Sequence, residues 1–207
     1  MKTILDIYND FDVAFTNTNT TLANSIFLFQ NGANHSGIVF GQDIHDSILE
    51  HCFMRIYLLW ENFLEDAFIS YLCDEADIQG NRYTRFAYPQ DEEHAYGLLK
   101  GTKQYPDWTS IDSINTLSNL FFDNSGPFLL LRNNPVEFLQ MKTIRNRISH
   151  VSKQSIKAFN KLTNAQIATT NMSAANFLST LKDHTTTTYY TYYTDTIKSY
   201  VEAICNK

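Results

Sequence analysis

The sequence predicts an all-α protein, an up-and-down helical bundle with one long amphipathic helix at its centre. Apolar residues recur every three or four positions from Ile44 to Tyr71, and only a helix places that spacing on one side. Residues 134–137, Asn-Pro-Val-Glu, combine an N-cap residue, a proline at the first helical position and a glutamate that closes a capping box. A chain of 207 residues is long enough to bury one core, so we expect a single domain over residues 1–207.

The first third of the chain is predicted to hold two helices. Weaker apolar spacing over residues 4–29 indicates a first helix, broken near residues 16–20, where Asn and Thr dominate. Three glycines over residues 31–42 indicate a loop. The long helix follows over residues 42–73 and measures about 45 Å at the rise of an α-helix.

An irregular insertion is expected over residues 74–108, because this stretch holds three glycines and two prolines. A short helix is expected within it, around residues 92–99, and another helix over residues 109–122. The helix that starts at Pro135 carries an apolar stripe directed to a core. The stripe consists of Phe138, Met141, Ile144, Ile148 and Val151.

Two more helices are predicted near residues 173–182 and 189–204. The run TTTTYYTYYT over residues 185–194 is also rich in β-branched and aromatic residues, so a strand is the alternative there. We interpret the four tyrosines of this run as packing residues of the core.

Charge is distributed unevenly along the chain. The net charge is −6, which excludes a surface that is basic everywhere, yet residues 138–182 contain no Asp or Glu. The same stretch holds seven of the sixteen basic residues, which predicts an anion-binding surface. These residues are Lys142, Arg145, Arg147, Lys153, Lys157, Lys161 and Lys182.

The sequence favours a cytoplasmic protein without a membrane span. Aspartates interrupt the first fifteen residues, unlike the core of a signal peptide, and no run approaches the roughly 20 apolar residues that cross a bilayer. Three widely spaced cysteines suit a reducing compartment. His45, Glu50 and His51 match no zinc-binding spacing, so we expect neither a metal nor another cofactor.

One constellation on the helix from Pro135 has the residues for acid–base chemistry. Asn146 and His150 lie within about 40° of each other and opposite the apolar stripe, so His150 is predicted to be exposed. In a regular helix Arg145 would point about 140° from His150. The two side chains of one copy are therefore not expected to converge on one phosphate.

The segment RNRISH, Arg145 to His150, resembles the motif of the HEPN family: an arginine, a polar residue such as Asn, and a histidine after four to six intervening residues. Residues 58–72 are similar to the long aromatic helix of those bundles. The resemblance implies a HEPN-like bundle and a metal-independent endoribonuclease that acts as a toxin or in antiphage defence. It implies catalytic roles for Arg145, Asn146 and His150 in a homodimer with a composite active site. Besides RNA, it implies an antitoxin or a defence protein as partner.

The implied chemistry suits these residue types. An imidazole can take the proton of a ribose 2′-hydroxyl, and an arginine can hold the scissile phosphate, which would leave 2′,3′-cyclic phosphate and 5′-hydroxyl ends. The neighbouring candidates for RNA contacts are Arg147, Lys153 and Lys157. Arg82 and Arg85 lie in a predicted loop that interleaves basic and aromatic residues, which favours contact with unpaired bases, with ordinary loop packing as the alternative.

One position departs from the resemblance. HEPN proteins that pair with a nucleotidyltransferase antitoxin often carry a tyrosine two residues after the histidine, where this chain has Ser152. Control by nucleotide transfer to that position is therefore not expected. The rival interpretation is a catalytically inactive helical module that binds RNA or a protein through the same basic face, and a purely structural dimer is the third.

Overall fold

The computed structural model confirms the all-α class. It describes residues 1–31, 34–35, 38–101, 106–133, 135–183 and 185–206. Within these ranges the chain forms eight α-helices: α1 Ile4–Gln30, α2 Gln42–Leu72, α3 Glu92–Lys100, α4 Ile111–Phe121, α5 Pro135–Ser149, α6 Lys153–Ile167, α7 Ala174–Ser179 and α8 Tyr189–Cys205. Across the described ranges, no helix is both long enough and apolar enough to cross a membrane.

Two short features accompany the helices. Strands β1 Asn34–His35 and β2 Ile38–Val39 form a two-residue antiparallel pair within the segment predicted as a loop. A 3-10 segment, Asp123–Asn133, is kinked at residues 124–126, where all three φ angles are positive. Gly126 belongs at this kink, because a Cβ there would lie 3.0 Å from the side chain of Phe122.

Helix α1 runs without the break predicted near residues 16–20, so that prediction is wrong. The hydroxyl groups of Thr18, Thr20 and Thr21 each donate to the carbonyl four residues earlier, at 2.7, 2.9 and 3.0 Å. Threonines that satisfy their own hydroxyls on the preceding turn stay compatible with a helix despite their weak propensity. Thr18 is buried, and the helix continues past it to Leu22, which is also buried.

The chain divides into two compact units, each assembled from separate segments. The acidic unit comprises residues 1–13, 59–139 and 196–207, with eight Lys or Arg against seventeen Asp or Glu. The basic unit comprises residues 14–58 and 140–195, with eight Lys or Arg against five Asp or Glu, a formal charge of +3. The single domain expected from the sequence stays a prediction.

The core of the acidic unit is built around the ring of Phe68. Its centroid lies 5.1 to 6.1 Å from those of four other rings, in stacked, tilted and edge-on arrangements that aromatic side chains prefer. These rings belong to Trp108, Phe121, Phe122 and Phe128. The insertion before α3 holds no helix over residues 75–91, whereas the short helix expected around residues 92–99 is confirmed by α3.

Aromatic side chains from three helices form the core of the basic unit. The ring of Phe177 lies edge-on to Phe159 at 5.8 Å and stacks on Tyr189 at 4.4 Å. The hydroxyls of Tyr190 and Tyr193 donate to side-chain oxygens at 2.9 Å, and burial raises the pKa of the Tyr190 phenol. The interpretation as packing is thus confirmed for Tyr189, Tyr190 and Tyr193, which are buried, whereas Tyr192 is half-buried. The strand alternative is wrong for residues 189–194, because they belong to helix α8.

Candidate functional site

Helix α5 begins at Pro135 as predicted and presents its buried stripe as far as Ile144. Asn134, the predicted N-cap, lies outside the described residues. The prediction that the stripe continues through Val151 is wrong. The helix ends at Ser149, and the side chain of Val151 is 83% exposed.

His150 follows the last residue of α5 and is exposed, as the angular argument predicted. Its backbone N–H donates to the carbonyl of Asn146 at 3.0 Å, so the last helical turn fixes it from one side. Its own carbonyl accepts a hydrogen bond from Oγ of Ser155 at 2.6 Å. The backbone of the candidate catalytic histidine is therefore held at both ends, while its imidazole faces solvent.

Arg145 and Asn146 are brought together one turn before His150. Both side chains are half-buried, and Nη1 of Arg145 donates to Oδ1 of Asn146 at 3.2 Å. Within the described residues, Arg145 has no carboxylate partner, and no hydrogen bond joins it to His150. The arginine thus keeps guanidinium N–H groups for an anion, and the amide nitrogen of Asn146 can donate to the same anion.

The short connection from α5 to α6 is set by a serine cap. Oγ of Ser152 accepts from the backbone N–H of Ser155 at 3.1 Å, the pattern of a favourable N-cap. The sequence interpretation missed α6, although a Ser at the cap followed by Phe159 and Leu162 on one face is a helix-start signal. Sequence reasoning also missed Ser155, whose hydroxyl supports His150.

Helix α6 presents a ridge of three lysines, Lys153, Lys157 and Lys161, which we call the lysine ridge. All three are exposed and follow each other at four-residue intervals, so they advance about 6 Å per step along one side of the helix. None of them pairs with a carboxylate in the part of the chain that the structure describes. Arg147, the other predicted RNA contact, is half-buried on α5. The ridge begins three residues after His150.

A segment of α2 lies beside the end of α5. The hydroxyl of Ser149 contacts the sulfur of Met54 at 3.7 Å. His51 and Arg55, close to Met54 on α2, are exposed, and Nε of Arg55 donates to the hydroxyl of Thr18 at 3.1 Å.

Glu50, four residues before Met54 on α2, has a partner that serves the fold. Oε1 of Glu50 accepts from the backbone N–H of Ala175 at 3.0 Å, close to the start of α7. A carboxylate at a helix N-terminus satisfies an otherwise unpaired donor. Among the described residues, no group of three or more His, Cys, Asp or Glu side chains is arranged to hold a metal ion.

Arg82 and Arg85 occupy a different environment. Both guanidinium groups form ion pairs with Asp74, at 3.1 and 2.8 Å, and Arg85 also donates to the carbonyl of Leu72. The side chain of Arg85 is only 12% exposed and lies over the ring of Tyr88. Arg85 is largely covered and committed to these partners, so we remove it from the candidate RNA-binding surface. Arg82 shares the same carboxylate and its side chain is 57% exposed, so its contact with RNA stays a prediction.

No family model matches the chain, and no curated protein and no solved structure matches it at a significant level. Its function therefore has to be argued from the site itself. That site combines an exposed histidine, an arginine and an asparagine in contact, and a ridge of exposed lysines on the following helix.

Proposed function

We propose that the chain is a metal-independent endoribonuclease of HEPN type. The observation that carries the proposal is the exposed imidazole of His150, one turn from the Arg145–Asn146 pair and directly before the lysine ridge. Phosphodiester transfer needs a base, a group that stabilises charge on phosphorus, and contacts that hold a polyanion. This stretch of chain offers one of each.

In the proposed reaction, His150 takes the proton of the ribose 2′-hydroxyl, and the resulting oxygen attacks the adjacent phosphorus. Arg145 donates hydrogen bonds to the non-bridging oxygens, on which negative charge grows in the transition state. The bond from phosphorus to the 5′-oxygen breaks, and that oxygen receives a proton from a second imidazole. The products are a 2′,3′-cyclic phosphate and a 5′-hydroxyl, and DNA is resistant because it lacks the attacking group.

A homodimer with a composite active site supplies the second imidazole. One histidine cannot be base and acid in the same step, and Arg145 is drawn toward Asn146 rather than toward His150 of its own chain. A two-fold axis beside the end of α5 would place two motifs on one phosphate. A protein that stays monomeric at micromolar concentration while cutting RNA would contradict this arrangement.

The RNA backbone is proposed to follow Arg147 and the lysine ridge. The cations of the ridge are exposed and lack carboxylate partners among the described residues, so phosphates do not have to displace existing ion pairs. This adds Lys161 to the contacts predicted from the sequence. Binding through such contacts releases counterions and weakens steeply with salt.

The biological role proposed here is that of a growth-arresting toxin or an antiphage effector, controlled by an antitoxin or another defence protein. It rests on the resemblance to HEPN proteins. Nucleotide transfer to residue 152 is not proposed, because Ser152 serves as the N-cap of α6.

End-group analysis of cut RNA tests the proposed reaction. We expect 5′-hydroxyl ends, activity that survives EDTA, and a loss of about 10² to 10⁴ in rate for His150→Ala, with a comparable loss for Arg145→Ala. Exposed Lys157→Ala is a matched helix-surface control that should weaken binding without abolishing turnover. Products with 5′-phosphate ends, or wild-type cutting by His150→Ala, would overturn the assignment and favour the inactive module that binds RNA or a protein.

A further inference from the structure

The hydroxyl of Ser155 lies beneath the candidate catalytic histidine. Its Oγ is 2.6 Å from the carbonyl oxygen of His150, and the Ser155 side chain is buried on the inner face of α6. The same oxygen lies 3.2 Å from the hydroxyl of Ser152 and 2.9 Å from its carbonyl. Ser155 thus links the first turn of α6 to the residue that directly follows α5.

We propose that Ser155 is a positioning residue for His150, an inference that rests on the proposed ribonuclease function. The N–H of His150 is fixed by the carbonyl of Asn146, and its carbonyl is fixed by Ser155. With both backbone groups held, only the two side-chain torsions remain to place the imidazole. Holding a catalytic group in the reactive geometry is a large part of enzymatic rate enhancement.

The surroundings show why a hydrogen bond is needed here. His150, Val151 and Ser152, the three residues between α5 and α6, are all exposed, so this connection has little apolar packing of its own. Val151, the one aliphatic residue of the connection, is 83% exposed. The buried hydroxyl of Ser155 is the polar anchor that the described residues provide for the carbonyl of His150.

The anchoring role can be separated from helix capping. The cap acceptor is Oγ of Ser152, and it receives the backbone N–H of Ser155, which any residue at position 155 except proline retains. Ser155→Ala therefore removes the bond to His150 and keeps the cap acceptor. Ser152→Ala removes the cap and keeps the Ser155 hydroxyl that donates to His150. Both variants lose the contact between the two serine hydroxyls, so they differ in the cap and in the bonds that the Ser155 hydroxyl donates.

Steady-state cleavage of a short RNA by the full chain tests the proposal. For Ser155→Ala we expect kcat to fall about 10- to 100-fold while KM stays within about twofold, since misplacement of a reacting group by roughly 1 Å can cost that much. Ser155→Cys has a similar volume but only a weak S–H donor, so its kcat should fall by a factor comparable to that of Ser155→Ala. Ser155→Thr should restore the rate, and Ser152→Ala should keep wild-type kcat below its melting temperature.

A second readout separates this inference from the proposed function. The 15N order parameter of the His150 amide should fall in Ser155→Ala and remain at the wild-type value in Ser152→Ala. The positioning role would be overturned if folded Ser155→Ala kept the wild-type kcat and the wild-type order parameter of the His150 amide. It would also be overturned if Ser152→Ala lost as much kcat as Ser155→Ala. If the wild-type chain cuts no RNA, the ribonuclease proposal fails, and the order parameter alone decides whether Ser155 anchors His150.

Discussion

Replacing the three lysines of the ridge with glutamine should flatten the salt dependence of RNA binding. For single strands, each neutralised phosphate contributes about 0.7 to the slope of log affinity against log salt. Three exposed cations on one side of α6 therefore account for a slope of about 2. Between roughly 50 and 200 mM salt, the wild-type protein should lose about 20-fold more affinity than the triple variant.

The assay is a titration of a short single-stranded RNA at several salt concentrations, with every protein carrying His150→Ala so that binding is measured without turnover. Glutamine suits this substitution, because its helix propensity is close to that of lysine and the three positions are exposed. The matched control is Lys182→Gln, which also removes one charge from the basic unit. Lys182 is paired with Asp183 and lies over the ring of Tyr192, so its loss should leave the slope unchanged.

Two results would refute the reasoning. A triple variant with the wild-type slope would show that phosphates do not contact the ridge. The single replacements Lys153→Gln, Lys157→Gln and Lys161→Gln should each flatten the slope more than Lys182→Gln does. An equal effect of Lys182→Gln would show that net charge, and not the ridge, governs binding.

Three further predictions concern stability. Ser152→Ala, which removes the N-cap of α6, should lower the free energy of unfolding by about 1 kcal/mol in urea titrations; an unchanged midpoint would contradict the cap. For Asp77, desolvation is outweighed by hydrogen bonds from neighbouring amides, which lower the carboxyl pKa. Asp77→Asn should therefore lower the free energy of unfolding by about 1 to 3 kcal/mol at neutral pH. Because the pKa is lowered in the folded protein, this difference from the wild type should disappear as pH falls below about 3.9 and through the lowered pKa. Desolvation raises the pKa of Glu65, so the charged carboxylate destabilises the fold and Glu65→Gln should raise Tm at pH 7. The increase in Tm should shrink as pH falls through the raised pKa toward about 4.3. An increase in Tm that is as large at pH 3 as at pH 7 would contradict this.

The sequence was sufficient to predict helices with a strong apolar period and was misleading where a local cap competed with that period. The spacing from Ile44 to Tyr71 corresponds to α2, Gln42–Leu72. At the end of α5, the same kind of spacing extended the predicted stripe to Val151, but the cap at Ser152 ends that helix and starts another. Helices α5 and α6 are separated by only three residues, and the apolar spacing runs on across them. Apolar spacing alone therefore does not distinguish two such helices from one continuous helix.

The candidate site was only partly predictable for a related reason. The exposure of His150 follows from its angle to the buried residues Met141 and Ile144, which the sequence contains. The loss of Arg85 to an ion pair depends on Asp74, eleven residues away along an irregular stretch, whose path the sequence does not fix. Tertiary partners of charged side chains decide which cations stay available, and they are visible only after folding.

The net charge of −6 is a poor guide to whether this chain binds a polyanion, because the acids are concentrated away from the motif in sequence. The basic unit holds eight cations and five carboxylates, and two of those carboxylates already have partners other than the lysine ridge. Glu50 accepts from the backbone of Ala175, and Asp183 pairs with Lys182. Neither carboxylate is left to neutralise the lysine ridge. The local field at a surface decides which ligand it attracts, so an acidic protein can still present a surface for RNA.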